Sequence, residues 1–293
     1  MKFENYHPAI NLIFFTAVIA CTLCFRHPVY LGISFAASFV YSIWLNGKRA
    51  LIFNVCLIPL CAAYAWWYGF YHHFGVTIMK QNFVGNNITL ESYVYGAVLA
   101  LTIASVIMWM SCVFAVFSSD KVVYLFGRVS PKLSLFLSIL LRAVPLTKLR
   151  AKRINIAQSG IGRGAGQGNI GRRFLNGLRI ISILITWTLE SFGTSSASMK
   201  SRGYELKGRT AFSIYRFDHR DRTTVIAMFV FITITVMAVM LDQTRILFDP
   251  EIIWNRITAL SFVFYAAYAA LAFMPFALEV LGQWKFSRLI STI

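Results

Sequence analysis

The sequence predicts an all-α polytopic membrane protein, with about six transmembrane helices and two further long helices on the cytoplasmic face. Three observations predict it. The chain holds six apolar runs of spanning length, those runs are almost free of charge, and the basic residues gather in one segment. Of 293 residues, 58% are apolar and only 13% charged, with a mean hydropathy of +0.64. Soluble domains sit near 45–50% apolar and about 25% charged. The same composition excludes a disordered chain and a disulfide-stapled scaffold.

A helix needs about 20 mostly apolar residues to cross the hydrocarbon core, with about 17 as the lower limit. Residues 8–25, 29–45, 51–70, 93–117, 224–241 and 257–281 qualify, and Glu279 is the single charge among them. Open strands cannot satisfy their backbone in lipid, so these runs are read as helices. Only Arg26-His27-Pro28 separates the first two, which predicts a tight helical hairpin. The alternative for the first run is a cleaved signal, with Val18-Ile19-Ala20-Cys21 resembling a lipoprotein cleavage site. Against it, Lys2 is balanced by Glu4 in the segment ahead, a poor start for a signal peptide.

Charge sets the orientation and divides the chain into residues 1–117, 118–222 and 223–293. The middle segment carries 19 Lys and Arg against five acids, most of the chain's net +17. Positive loops stay inside, so this segment is placed in the cytoplasm. Counting spans outward puts both termini inside, along with the Lys48-Arg49 turn. The turn holding Asp242, Asp249 and Glu251 falls outside.

Residues 133–146 and 174–189 are also apolar, but each is short of a span and contains an arginine, Arg142 or Arg179. Both are flanked on each side by basic residues, and a crossing would export one basic cluster. They are read as helices on the cytoplasmic face; a seventh or eighth span is the alternative.

These two helices end alike. One closes on Ala157-Gln158-Ser159-Gly160-Ile161-Gly162-Arg163-Gly164, the other on Ala197-Ser198-Met199-Lys200-Ser201-Arg202-Gly203-Tyr204. A glycine past the last turn can take the left-handed conformation that closes a helix. The arginine before it meets the negative end of the helix dipole and can reach a carboxylate on a partner. A lone Arg-Gly end reads as an ordinary cap. Two matched copies leave the capping and docking readings equally open.

At these residues the chain resembles the transmembrane T component of energy-coupling factor (ECF) transporters, importers of vitamins and transition-metal ions. The resemblance covers most of the chain. It runs through Pro8-Ala9-Ile10-Asn11, Ser119-Asp120-Lys121, Leu125-Phe126-Gly127-Arg128, Leu141-Arg142-Ala143-Val144-Pro145 and the two Arg-Gly ends. It implies two crossed coupling helices, about 131–163 and 172–202, in a bacterial cytoplasmic membrane. Their ends, Gly162-Arg163-Gly164 and Ser201-Arg202-Gly203, would dock in two cytosolic ABC ATPase subunits, and the membrane-embedded substrate-binding S component would be the third partner. ATP hydrolysis would then belong to the ATPases, with no catalytic residue or cofactor in this chain. Gly162 and Ser201 stand where the family carries alanine; both stay small, and Gly162 beside Gly160 is expected to loosen the last turn.

Other features carry less. The stretch Gly160–Gly168 (GIGRGAGQG) lacks the lysine of a phosphate loop and reads as a flexible linker. Cys21-x-x-Cys24 lies inside an apolar run and reads as packing. No metal site is assigned to the scattered histidines. Long apolar helices between the charges are wrong for nucleic acid, where charge must face solvent; contact with the lipid bilayer is the expected secondary use. The functional alternative is a stand-alone secondary transporter or channel, which usually needs ionisable groups within its spans.

Overall fold

A computed structural model describes residues 3–81, 87–204, 206, 215–248, 252–253 and 257–291. Among these residues lie nine α-helices: α1 (Pro8–Cys24), α2 (Pro28–Asn46), α3 (Lys48–Tyr71), α4 (Leu90–Val116), α5 (Ser119–Val129), α6 (Pro131–Gly160), α7 (Ile170–Ser201), α8 (His219–Met240) and α9 (Ala259–Ser291). Five of them, α2, α3, α4, α8 and α9, are long and apolar enough to cross a membrane. The chain is a multi-pass, overwhelmingly helical membrane protein. At 17 residues α1 meets only the lower limit of about 17 for a span. A short hairpin departs from the all-α expectation: β1 (Ile78–Gln81) pairs antiparallel with β2 (Asn87–Thr89). It lies between two apolar runs, where backbone outside the hydrocarbon need not be helical.

The contacts divide the chain into two compact units, Met1–Ser118 with Tyr215–Ile293, and Ser119–Ile214. In the first, local chemistry starts the helices. His7-Pro8 and His27-Pro28 open α1 and α2 in the same way. Each proline takes the first helical position, where its missing N–H costs nothing. Each histidine Nδ1 accepts a backbone N–H two residues on, from Ala9 at 3.2 Å and from Val29 at 3.3 Å. These two histidines are therefore helix caps. Asp218 and Asp221 form a reciprocal capping box at the start of α8.

The centre of this unit is Trp109 of α4, fully buried against Phe14 and Phe15 of α1 at ring distances of 5.9 and 6.3 Å. Its Nε1 donates to Ser34 Oγ of α2 at 3.0 Å, and Ser34 Oγ lies 2.7 Å from Thr22 Oγ1 of α1. Tyr268 of α9 approaches the same threonine at 3.4 Å. One polar knot thus joins four helices where water is scarce. Such interhelical bonds in lipid are worth about 0.6 kcal/mol each.

The six long helices of this unit alternate in direction. At one end Glu279 of α9 accepts from Phe3 N (2.9 Å) and Trp44 Nε1 (2.7 Å), so the N-terminal segment, the end of α2 and the late part of α9 meet. Phe117 packs on Phe15, and Phe217 on His7, at that same end. At the other end Arg26 N and His27 N donate to Thr244 O, and Ser92 Oγ donates to His72 O. The chain therefore leaves this bundle after α4 and returns at α8 on one side.

The second unit holds α5, α6 and α7. The sequence reading does not contain α5, an 11-residue helix that starts directly after α4. Helices α6 and α7, 30 and 32 residues long, are not among the five apolar enough to cross. They pair as an antiparallel hairpin around a small contact. Ile154 and Ile180 are its only large apolar side chains described as buried.

Candidate docking site

Both long helices end in the same hydrogen-bonded motif, but not at the same place relative to their arginines. In α6 the left-handed residue is Gly162, with φ 74°. Gly162 N donates to Ser159 O at 3.1 Å and Arg163 N to Gln158 O at 2.9 Å, the two bonds of a Schellman end. In α7 the left-handed residue is Gly203, with φ 75°. Gly203 N donates to Lys200 O at 3.0 Å and Tyr204 N to Met199 O at 3.2 Å. Arg163 therefore follows its helix stop, whereas Arg202 precedes its own.

This corrects the expectation that each arginine sits in a last turn closed by the glycine after it. The difference traces to the residue before the arginine. A left-handed conformation costs an L-residue about 1–2 kcal/mol, and glycine is spared that cost. Gly162 takes it and stops α6. Ser201, at the matching position, stays helical with its Oγ donating to Ser198 O at 2.8 Å, and α7 runs on to Arg202 and Gly203. Gly164 is buried and does not close the helix; its N–H goes instead to Gln167 Oε1 at 3.0 Å.

The glycine-rich stretch between the helices is also not the loose linker expected from composition. Asn155 Oδ1 of α6 accepts from Ala165 N at 2.9 Å, and Asn176 Nδ2 of α7 donates to Gly164 O at 3.2 Å. Gln167 Nε2 donates back to Ser159 O at 3.3 Å, Asn169 caps α7, and Arg173 Nε donates to Gly168 O at 3.0 Å. Amide side chains from both helices thus staple a loop whose glycines alone suggested freedom.

Arg163 and Arg202 are both exposed, and neither side chain has a hydrogen-bonding or charged partner among the described residues. Arg163 lies at the loop end of the hairpin and Arg202 at the far end of α7. A 32-residue helix is about 48 Å long, which sets the spacing of the two cations. Phe174, Leu178, Ile181, Ile185 and Leu189 form an apolar stripe along α7, each 48–68% exposed. On α6, Leu133, Phe136, Leu140 and Val144 are exposed at similar spacing. Surface helices normally turn such a face inward. A narrow polar strip on α7, Arg179, Ser182, Thr186 and Glu190, is exposed as well.

Toward the Arg202 end, α6 and α7 enclose an open groove of about 770 Å³. Arg142, Arg150 and Arg202 line it, with hydroxyls such as Thr147, Thr188 and Ser195, and apolar groups such as Ile139 and Leu146. Arg150 is held with its guanidinium 5.2 Å from the Trp187 ring. The sequence reading missed this groove, because it depends on how two helices pair; the run of small residues from Gly193 to Ser198 was its one visible sign.

Against known proteins, no family model matches the chain and no curated protein matches its sequence.

Proposed function

We propose that the chain is the transmembrane coupling (T) subunit of an ECF-type importer, joining ATP hydrolysis by two cytosolic ABC ATPase subunits to movement of a substrate-binding S component. In this reading α1 is a sixth span, both termini and the α5–α7 unit face the cytoplasm, and α6 and α7 are the coupling helices. The observation that carries it is the pair of exposed arginines at the Schellman ends of α6 and α7, set about one helix length, some 48 Å, apart. That spacing suits two sockets, one on each of two protein subunits, better than one ligand. The apolar stripes of α6 and α7 support it from a second direction. Helices with so little buried surface of their own require cover, and a membrane-embedded S component together with lipid provides it.

The test begins with the chain tagged and purified from native membranes in mild detergent. Two ATPase subunits are expected to copurify. An interfacial charge pair that loses one partner costs about 2–5 kcal/mol, so Arg163→Glu with Arg202→Glu should abolish capture while insertion is unchanged. Capture of ATPases undiminished by the double substitution refutes the docking. A wild-type chain that copurifies alone, and transports solute alone in vesicles, establishes the secondary-carrier alternative.

A further inference from the structure

We propose that the groove between α6 and α7 is a binding site for an anionic phospholipid, its phosphate held by Arg142 and Arg150. Three guanidinium groups line this groove and, among the described residues, no carboxylate does. Arg142, Leu146 and Arg150 follow one another at four-residue steps, so both cations share one face of α6. Arg142 has no side-chain partner, and Arg150 is positioned by the Trp187 ring rather than neutralised by an acid. Guanidinium forks pair with phosphate oxygens in a bidentate manner. The hydroxyls of Thr147, Thr188 and Ser195 add neutral donors beside them.

The remainder of the lining selects among anions. Ile139, Leu146 and Phe192 give the groove apolar walls that a free phosphate or a nucleotide would leave uncovered. A ligand with a charged head and hydrocarbon tails covers both kinds of surface. Basic pockets between transmembrane helices bind acidic lipid heads by the same pairing of cations with phosphate. A multi-pass chain meets such lipids continuously, so the ligand is at hand wherever the protein resides. The inference concerns α6 and α7 alone and does not depend on the transporter reading.

The test uses the full chain in mixed micelles of phosphatidylcholine with increasing phosphatidylglycerol, counting retained lipids by native mass spectrometry. One phosphatidylglycerol per chain is expected to outlast the others. Arg142→Gln with Arg150→Gln should weaken its retention at least about tenfold. Arg172→Gln with Arg179→Gln removes equal charge outside the groove and should leave retention as in wild type. Because Arg150 also stacks on Trp187, Arg142→Gln alone and Ser195→Trp are run beside it. The tryptophan fills the groove with every charge in place and should expel the lipid. Equal loss from both arginine pairs would mean diffuse attraction and overturn the site. Displacement by excess inorganic phosphate would make it a free-anion site, and equal retention of phosphatidylcholine would make it an unselective one; either overturns the proposal. The lipid counts are read with no ATPase present, so they fail or succeed separately from the copurification experiment.

Discussion

Replacing Gly162 by alanine tests why α6 stops two residues earlier, relative to its arginine, than α7 does. Gly162 holds φ 74°, and the bonds from its N–H and that of Arg163 depend on that conformation. An alanine kept there would bear about 1–2 kcal/mol of strain. Running α6 on to Gly164 would avoid that strain, but it would release Gly164 from Gln167 Oε1 and Asn176 Nδ2. Either route weakens the end. At 1.4 kcal/mol per factor of ten, the local opening equilibrium should rise by about 5- to 30-fold. Amide hydrogen exchange in detergent micelles reads this directly. Protection at residues 162 and 163 should fall by that factor, while Tyr204, capped through Gly203, is unchanged. Gly162→Asn should lose less, because asparagine tolerates the left-handed region better than alanine. Undiminished protection at Arg163 in the alanine variant would refute the account of the helix stop.

His27 caps α2 through Nδ1 and lies 3.3 Å from Tyr265 OH through Nε2; burial lowers its pKa below 6.5. An unfolded histidine takes its proton first as pH falls, so stability should be lost as pH drops below about 6.5, and His27→Gln should flatten a Tm profile between pH 5 and 8, whereas parallel profiles would exclude the cap. Glu279→Gln replaces the carboxylate that accepts from Phe3 N and Trp44 Nε1, presenting an amide to at least one donor. A loss of about 1–3 kcal/mol is expected, read as a lower Tm, and an unchanged Tm would show that the N-terminal segment is not tied down there. In a cysteine-free background, a cysteine at 247 should react with an impermeant reagent from outside the cell and one at 168 should not; external labelling of 168 would end the cytoplasmic placement of α6 and α7.

The long helices were legible because lipid imposes one rule on them: a run without charge. The run 29–45 became α2, Pro28–Asn46, almost unchanged. Boundaries drifted where polar residues extend a helix beyond the apolar run. α8 starts at His219, five residues ahead of the run at 224, because Asp218 and Asp221 build a capping box there. The two Arg-Gly ends were legible as ends, but their inequivalence was not. Gly162 was weighed for its size, whereas its permitted φ decides where α6 stops. The linker was misjudged for a related reason. Its glycines were counted, while Asn155 and Asn176, which pin it from either side, lie inside α6 and α7 and gave no loop signal.

The return of the chain to one end of the bundle has a consequence for biosynthesis. The core around Trp109 draws on Phe14, Tyr41 and Cys112, but also on Met228 and Leu271 from the last two helices. About a hundred residues separate the end of α4 from the start of α8. At roughly 5–20 residues per second, a ribosome takes about 5–20 s to make them. For that interval α1 to α4 stand with an unfinished face. Thr22 and Ser34 already have each other, but Tyr30 and the apolar flank of α1 must wait for Phe264 and Tyr268. Lipid, or a membrane chaperone, must shield that flank until α9 arrives, so a nascent chain arrested before residue 259 should be the form most readily taken by quality-control proteases.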